Sequence, residues 1–263
     1  MGRWRGRRDA IAPMIAAITP LSLALVAATI VFSSFVSGVF GIAGGMILLG
    51  VLLVFFDVST GMVLFSIIQL AANGWRAALW WRFVIWRIFW LYVFGAVSAF
   101  LIMRWFAFVP GKDVVYLALG AMPFLIELLP SAARPNIERR GVPFFTGLLT
   151  TIIQLVVGVG GLFLDIFFQK SKLDRKTTVG TKAVTQSFSH ILRLIYFGSV
   201  ASNMDAVPAW SYIPAVALAI AGTSLAPYVL ERMTDDGFRR YTRWVIFAIS
   251  VVYIFRGLML LSY

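Results

Sequence analysis

The sequence predicts an all-α integral membrane protein built from two homologous halves, each carrying a glycine-broken helix. Three observations predict it. Of the 263 residues, 60% are hydrophobic and the mean hydropathy is +0.90, outside the range of soluble domains. The apolar runs are long and continuous, unlike the alternating segments of about ten residues that build a membrane barrel. The chain also matches itself when shifted by 117 positions without a gap, the mark of an internal repeat.

The elements follow in order. Residues 1–19 open with Arg3, Arg5, Arg7 and Arg8 against a single acid. The next apolar run is too long for a signal peptide and lacks a convincing cleavage site, so this basic segment is expected to stay on the cytoplasmic side. A membrane helix needs about 20 predominantly apolar residues, and about eight segments qualify: Pro20 to Phe40, Thr60 to Leu79, Val84 to Met103, Val114 to Leu129, Gly141 to Phe168, Thr177 to Phe197, Ala209 to Leu230 and Trp244 to Leu261. They divide into a first membrane repeat over 20–130, a basic linker over 131–140 and a second repeat over 141–263.

The formal net charge of +12 raises nucleic acid as a partner, but position argues against it. Arg82 and Arg87, Arg139 and Arg140, Lys170 to Lys176, and Arg239 to Arg243 flank apolar segments, where basic residues anchor to headgroups and set orientation. The partners expected are therefore the lipid bilayer and a small solute, with no nucleic acid. Placing every basic connection in the cytoplasm is impossible for eight alternating crossings. Some segment must fail to span, and the glycine-broken ones are expected to be re-entrant or discontinuous.

In the repeat, Val39, Gly41, Gly44, Asp57, Thr60, Gln69 and Arg76 meet Val156, Gly158, Gly161, Asp174, Thr177, Gln186 and Arg193; Ala43 meets Gly160 and Asn73 meets His190. The glycines cluster at Gly41, Gly44 and Gly45 in one half and at Gly158, Gly160 and Gly161 in the other. Each glycine weakens a helix by about 1 kcal/mol relative to alanine, so these clusters predict breaks. Freed backbone in a bilayer must be buried or line a cavity, and N–H groups at a half-helix start attract anions. The alternative is close helix packing of the small-xxx-small kind.

Asp57 and Asp174, each followed three residues later by threonine, read as N-caps. The helix after each cap carries a polar face at spacings of three and four: Ser66, Gln69, Asn73 and Arg76, then Lys182, Gln186, Ser189 or His190, and Arg193. Ionisable groups in membrane helices are costly and face the bundle interior. Lys182 reads as an anion contact or as a lysine snorkelling to headgroups. Arg76 and Arg193 read as interfacial anchors or as pathway residues. Gln69 and Gln186 offer donors to an oxyanion or hydrogen bonds between helices. His190 reads as a proton carrier or a satisfied interior histidine, and Asp165 and Glu127 are the remaining relay candidates. The predicted substrate-binding set is Gly41, Gly44, Gly45, Gln69, Asn73, Gly158, Gly160, Gly161, Lys182, Gln186, His190 and Arg193.

Cysteine is absent, which excludes disulfides, thiolate metal sites and a persulfide relay. The single histidine has no cluster of carboxylates at metal spacing, and no nucleotide-binding loop is present. No cofactor is expected, and this chain alone cannot drive transport with ATP. Energy would come from an ion gradient, with a possible coupling ion, from the membrane potential or from a partner subunit.

Gly38-Val-Phe-Gly-Ile-Ala-Gly-Gly45 near the end of the first apolar segment, the polar helix with a small-residue start, and the second copy in the other half resemble the TauE/SafE family of anion transporters. The resemblance runs from about Leu21 to Leu261 and is strongest over Ser37 to Leu49 and Leu155 to Phe197, including Gly180-Thr-Lys-Ala-Val184. It implies export of sulfite, or of a sulfonate such as sulfoacetate, across a bacterial inner membrane, and two inverted repeats around a central site. The residues alone lead to a carrier. An anion channel would use the same residues without a conformational cycle, and a membrane enzyme acting on lipid lacks a convergent acid, base and nucleophile set.

Overall fold

The computed structural model describes residues 20–40, 43–130, 133–200, 209–230 and 235–262. Among them are ten α-helices and no strand. The first half holds α1 (Pro20–Phe40), α2 (Ala43–Phe55), α3 (Val58–Leu79), α4 (Trp86–Phe106) and α5 (Lys112–Glu127). The second holds α6 (Val142–Val157), α7 (Gly161–Phe168), α8 (Arg175–Val200), α9 (Tyr212–Leu230) and α10 (Asp235–Leu261). The basic N-terminal segment and Gly41 lie outside the described residues.

Ten helices stand where eight apolar segments were expected, for a local reason. The run Gly141 to Phe168 divides into α6 and α7, because Gly158 takes a left-handed conformation at φ 90° and ends α6. In the first half an additional helix, α2, lies between α1 and α3. At 13 and eight residues, α2 and α7 reach only about 20 and 12 Å, short of the roughly 30 Å hydrocarbon core. They are half-helices. By length and composition α3, α4 and the Arg243–Leu261 stretch of α10 suffice to cross a membrane, and large apolar side chains such as Phe94, Trp105 and Phe255 face outward, where lipid is their natural solvent.

Both expected N-caps form. Asp57 accepts from the Thr60 amide at 3.1 Å and its hydroxyl at 2.7 Å; Asp174 does the same with Thr177 at 3.0 and 2.6 Å. Each satisfies one of the orphan donors of a helix start and fixes where the polar helix begins.

Four helix pairs make most of the packing: α3 against α8, α4 against α6, α1 against α9, and α5 against α10. Exchanging the two halves helix for helix maps α3–α8 and α5–α10 onto themselves and swaps α4–α6 with α9–α1. Among the secondary contacts, α9 touches α3 as α4 touches α8. The polar helices α3 and α8 therefore meet at the middle of the bundle, and their polar faces have one another and the two breaks as neighbours.

Candidate functional site

The site begins at the breaks. Gly158 is required twice over: its φ is one that L side chains rarely adopt, and an added Cβ would lie 2.7 Å from the Met62 Cε and against Leu49. Gly44 serves a different end. A Cβ there would run into the α1 backbone at Ser33 and Ser37, so α2 folds back on α1 in close contact, and the packing alternative holds at this position. Gly45, beside it, leaves room for the Gln69 amide, whose Nε2 would stand 3.1 Å from an added Cβ.

A cavity opens between the breaks and the two polar helices, with ≈ 350 Å³ of atom-free space, its mouth included. From the first half come Ser37, Gly45, Phe65, Gln69 and Asn73; from the second, Gln154, Val159, Gly160, Gly161, Gln186 and His190. Seven of the sequence-predicted residues thus converge on one space: Gly45, Gln69, Asn73, Gly160, Gly161, Gln186 and His190. Gly44, Gly158, Lys182 and Arg193 do not line it, and Gly41 is outside the described residues.

The arginines explain how the lining is oriented. Arg76 donates to the Asn73 Oδ1 at 3.4 Å and to the Ser37 carbonyl at 3.3 Å; Asn73 Nδ2 in turn donates to the Gln69 Oε1 at 3.4 Å. Acceptor oxygens are consumed inside the protein, and the Gln69 amide hydrogens are left toward the cavity. In the second half Arg193 donates to His190 Nδ1 at 2.9 Å, to Ser66 Oγ at 2.8 Å and to the Gly158 carbonyl. Gln154 Nε2 approaches the same His190 nitrogen at 3.4 Å. A guanidinium can only donate, so Nδ1 accepts and the remaining imidazole hydrogen is on Nε2.

Arg193 is fully buried and lies 4.3 Å from the Phe65 ring centroid, which corrects its reading as an interfacial anchor. Lys182 is also placed differently from either expectation. It forms an ion pair with Asp165 on α7, neither snorkelling freely nor lining the cavity, and the Asp165 carboxylate is also within electrostatic reach of Arg76. At the corresponding repeat position Phe65 supplies the cavity wall. Ser189 is engaged by the Tyr92 hydroxyl at 2.6 Å, leaving His190 as the cavity residue of that turn. Glu127 sits at the C-terminal end of α5, exposed and 3.8 Å from Arg243.

Sequence reasoning missed Ser37, Phe65, Gln154 and Val159. Ser37 and Gln154 stand 117 positions apart, the offset that relates the halves. Extending the repeat to unlike polar pairs would have found both. No group of His, Cys, Asp and Glu able to hold a metal ion occurs among the described residues.

Apolar helices with outward-facing large side chains, glycine breaks, and a polar cavity at the seam of two halves define a multi-pass membrane protein of the transporter class. The chain belongs to the sulfite exporter TauE/SafE family, whose model matches residues 25–253. No curated protein and no solved structure matches it.

Proposed function

We propose that the chain is a secondary carrier exporting a small sulfur-containing anion, sulfite or a sulfonate such as sulfoacetate, across a bacterial inner membrane. The observation that supports this best is the donor-rich cavity. Arg76 and Arg193 each feed a hydrogen-bond relay whose acceptors point inward, leaving amide and imidazole hydrogens for a bound oxyanion. Gln69, Gln186 and His190 would hold the anion with the backbone N–H groups at Gly45, Gly160 and Gly161, the last at the start of half-helix α7, while Asn73, its amide hydrogens given to the Gln69 carbonyl and Oε1, would orient Gln69 at the cavity wall. Lys182, one turn before Gln186 on α8, would lend positive charge while Asp165 keeps the empty site near neutrality.

The exchange-symmetric packing supports two repeats of inverted orientation around this site, the arrangement in which discontinuous helices bind substrate near the midplane and one half rocks against the other. The halves would then expose the cavity to each side in turn. A channel would need the same lining with a continuous path, and single-channel conductance would reveal it.

The test is ligand-dependent thermal stability of the purified protein with sulfite, sulfoacetate, taurine, sulfate, phosphate and chloride. A ligand at 100 times its Kd adds about 2.7 kcal/mol. The expected result is a selective shift with a sulfur oxyanion that vanishes in Gln69→Leu/Gln186→Leu; equal shifts with all six anions, or none, would overturn the reading.

A further inference from the structure

The internal repeat reaches further back than the glycine breaks. On α1, Thr29, Ser33, Ser34 and Ser37 stand 117 positions before Thr146, Thr150, Thr151 and Gln154 of α6. Steps of four put Thr29, Ser33 and Ser37 on one stripe of α1, and Thr146, Thr150 and Gln154 on one stripe of α6. Even the hydrogen bonds correspond: Thr29 Oγ1 donates to the Leu25 carbonyl at 2.7 Å, and Thr146 Oγ1 to the Val142 carbonyl at 2.8 Å. Each stripe ends at the central cavity, through Ser37 and Gln154.

The two stripes reach the cavity from opposite sides. Because α2 folds back along α1 and leads directly into α3, α1 and α3 begin on the same side. The start of α6 is on the other. Arg87, at the start of α4, donates to the Glu138 carbonyl just ahead of α6 at 3.3 Å, and α4 starts where α3 ends, with Trp80 against Gly180 near the start of α8.

Hydroxyls inside a helix commonly bond back to a carbonyl of the preceding turn. Thr150 and Thr151 do not: both are buried, and neither Oγ1 has a hydrogen-bond partner. The Tyr92 hydroxyl of α4 lies near both, but its bond is with Ser189, at 2.6 Å. Among the described residues one other buried hydroxyl lacks a partner, that of Thr223. It belongs to α9, where that helix packs on α1 beside Gly38. Buried hydroxyls left idle call for a physical reason, and a hydroxyl can donate to an oxyanion in passage.

We infer that the two stripes are the access routes of the central cavity, one to each side, with Ser33 and Thr150 as residues that the anion touches in transit. The inference rests on the carrier reading and deepens it. Each repeat contributes one route, and rocking of the halves opens the two in turn.

The chain has no cysteine, so single-cysteine variants of the full protein can be labelled without background. Right-side-out and inverted membrane vesicles are treated with a membrane-impermeant thiosulfonate reagent, and Arg139→Cys, on the exposed connection before α6, marks the side. Thr150→Cys and Thr151→Cys should react only from the side of Arg139→Cys, and Ser33→Cys and Ser34→Cys only from the other. Ser250→Cys is the control and should react from neither, since Ser250 is equally buried on α10 and bonded to the Ile246 carbonyl at 2.8 Å. Two variants on each stripe keep both routes testable if one fails to fold. Labelling of both stripes from the same side, or of neither, would overturn the inference. Sulfoacetate should slow the labelling; a two-sided pattern that ignores it would count against the anion assignment and leave the routes standing.

Discussion

Arg193 donates to the carbonyl of Gly158, so a side chain of α8 completes the break that ends α6. The same guanidinium holds Ser66 of α3 and His190 of α8, tying both halves to one buried charge.

Replacing Arg193 with methionine keeps the volume and removes every donor. Buried acceptors left without partners cost about 1–3 kcal/mol, and three are affected here. Arg193→Met should lower the melting temperature in detergent more than any cavity-lining substitution, and Arg193→Lys should recover only part of the loss because an ammonium cannot fork. Differential scanning fluorimetry reads both.

Gly158→Ala forces a side chain into the left-handed region, at about 1–2 kcal/mol, and into the space of Leu49 and Met62. Gly198, exposed on α8 with nothing near a built Cβ, is its control. Alanine in a helix gains about 0.5–1 kcal/mol over glycine, so the two substitutions should move thermal stability in opposite directions.

Gln69→Leu and Gln186→Leu remove donors from the cavity without disturbing Arg193. A hydrogen bond to a charged group is worth about 1.5–3 kcal/mol, so each should weaken anion binding by roughly ten- to a hundredfold. Isothermal titration gives the affinity, and unchanged melting of the ligand-free proteins confirms that the fold is intact.

Lys182→Gln and Asp165→Asn each strand a charge among membrane helices, while the double substitution strands none. The coupling in a double-mutant cycle should fall at about 1–3 kcal/mol, with the double variant more stable than Lys182→Gln. Additive effects would show that the ion pair contributes nothing.

On the exposed connection before α8, the Asp174 carboxyl is held below its ordinary value, first by the Thr177 hydroxyl and then by the Thr177 amide. A depressed folded-state pKa means a contribution fully present above the unfolded value of 3.8 and lost as pH falls through the lower folded value. Hydrogen exchange at the first turn of α8 should therefore be faster in Asp174→Ala than in wild type near neutrality. The gap should close in acid.

What the sequence disclosed follows from what local chemistry can encode. Glycine clusters announce breaks, Asp-x-x-Thr announces caps, and a spacing of three and four announces the face bearing Gln69 and Gln186. Contacts between distant segments were less legible. That Lys182 would meet Asp165 depends on how α7 lies on α8, and that Arg193 would turn inward depends on a carbonyl freed by Gly158, 35 positions earlier. Gly44 was ambiguous for a physical reason: the same small residue serves a half-helix start and a tight crossing, and only the position of α1 decides between them.

The pairing of α3 with α8 also sets a schedule for biogenesis. Ser66, Gln69 and Asn73 are inserted before the helix that buries them has been synthesised, and the ribosome must add some 117 residues before their counterparts follow. At about 5–20 residues per second, that interval is on the order of ten seconds. During it a polar stripe faces lipid or the insertion machinery, making the newly made first half the stage at which quality control would find this protein most recognisable.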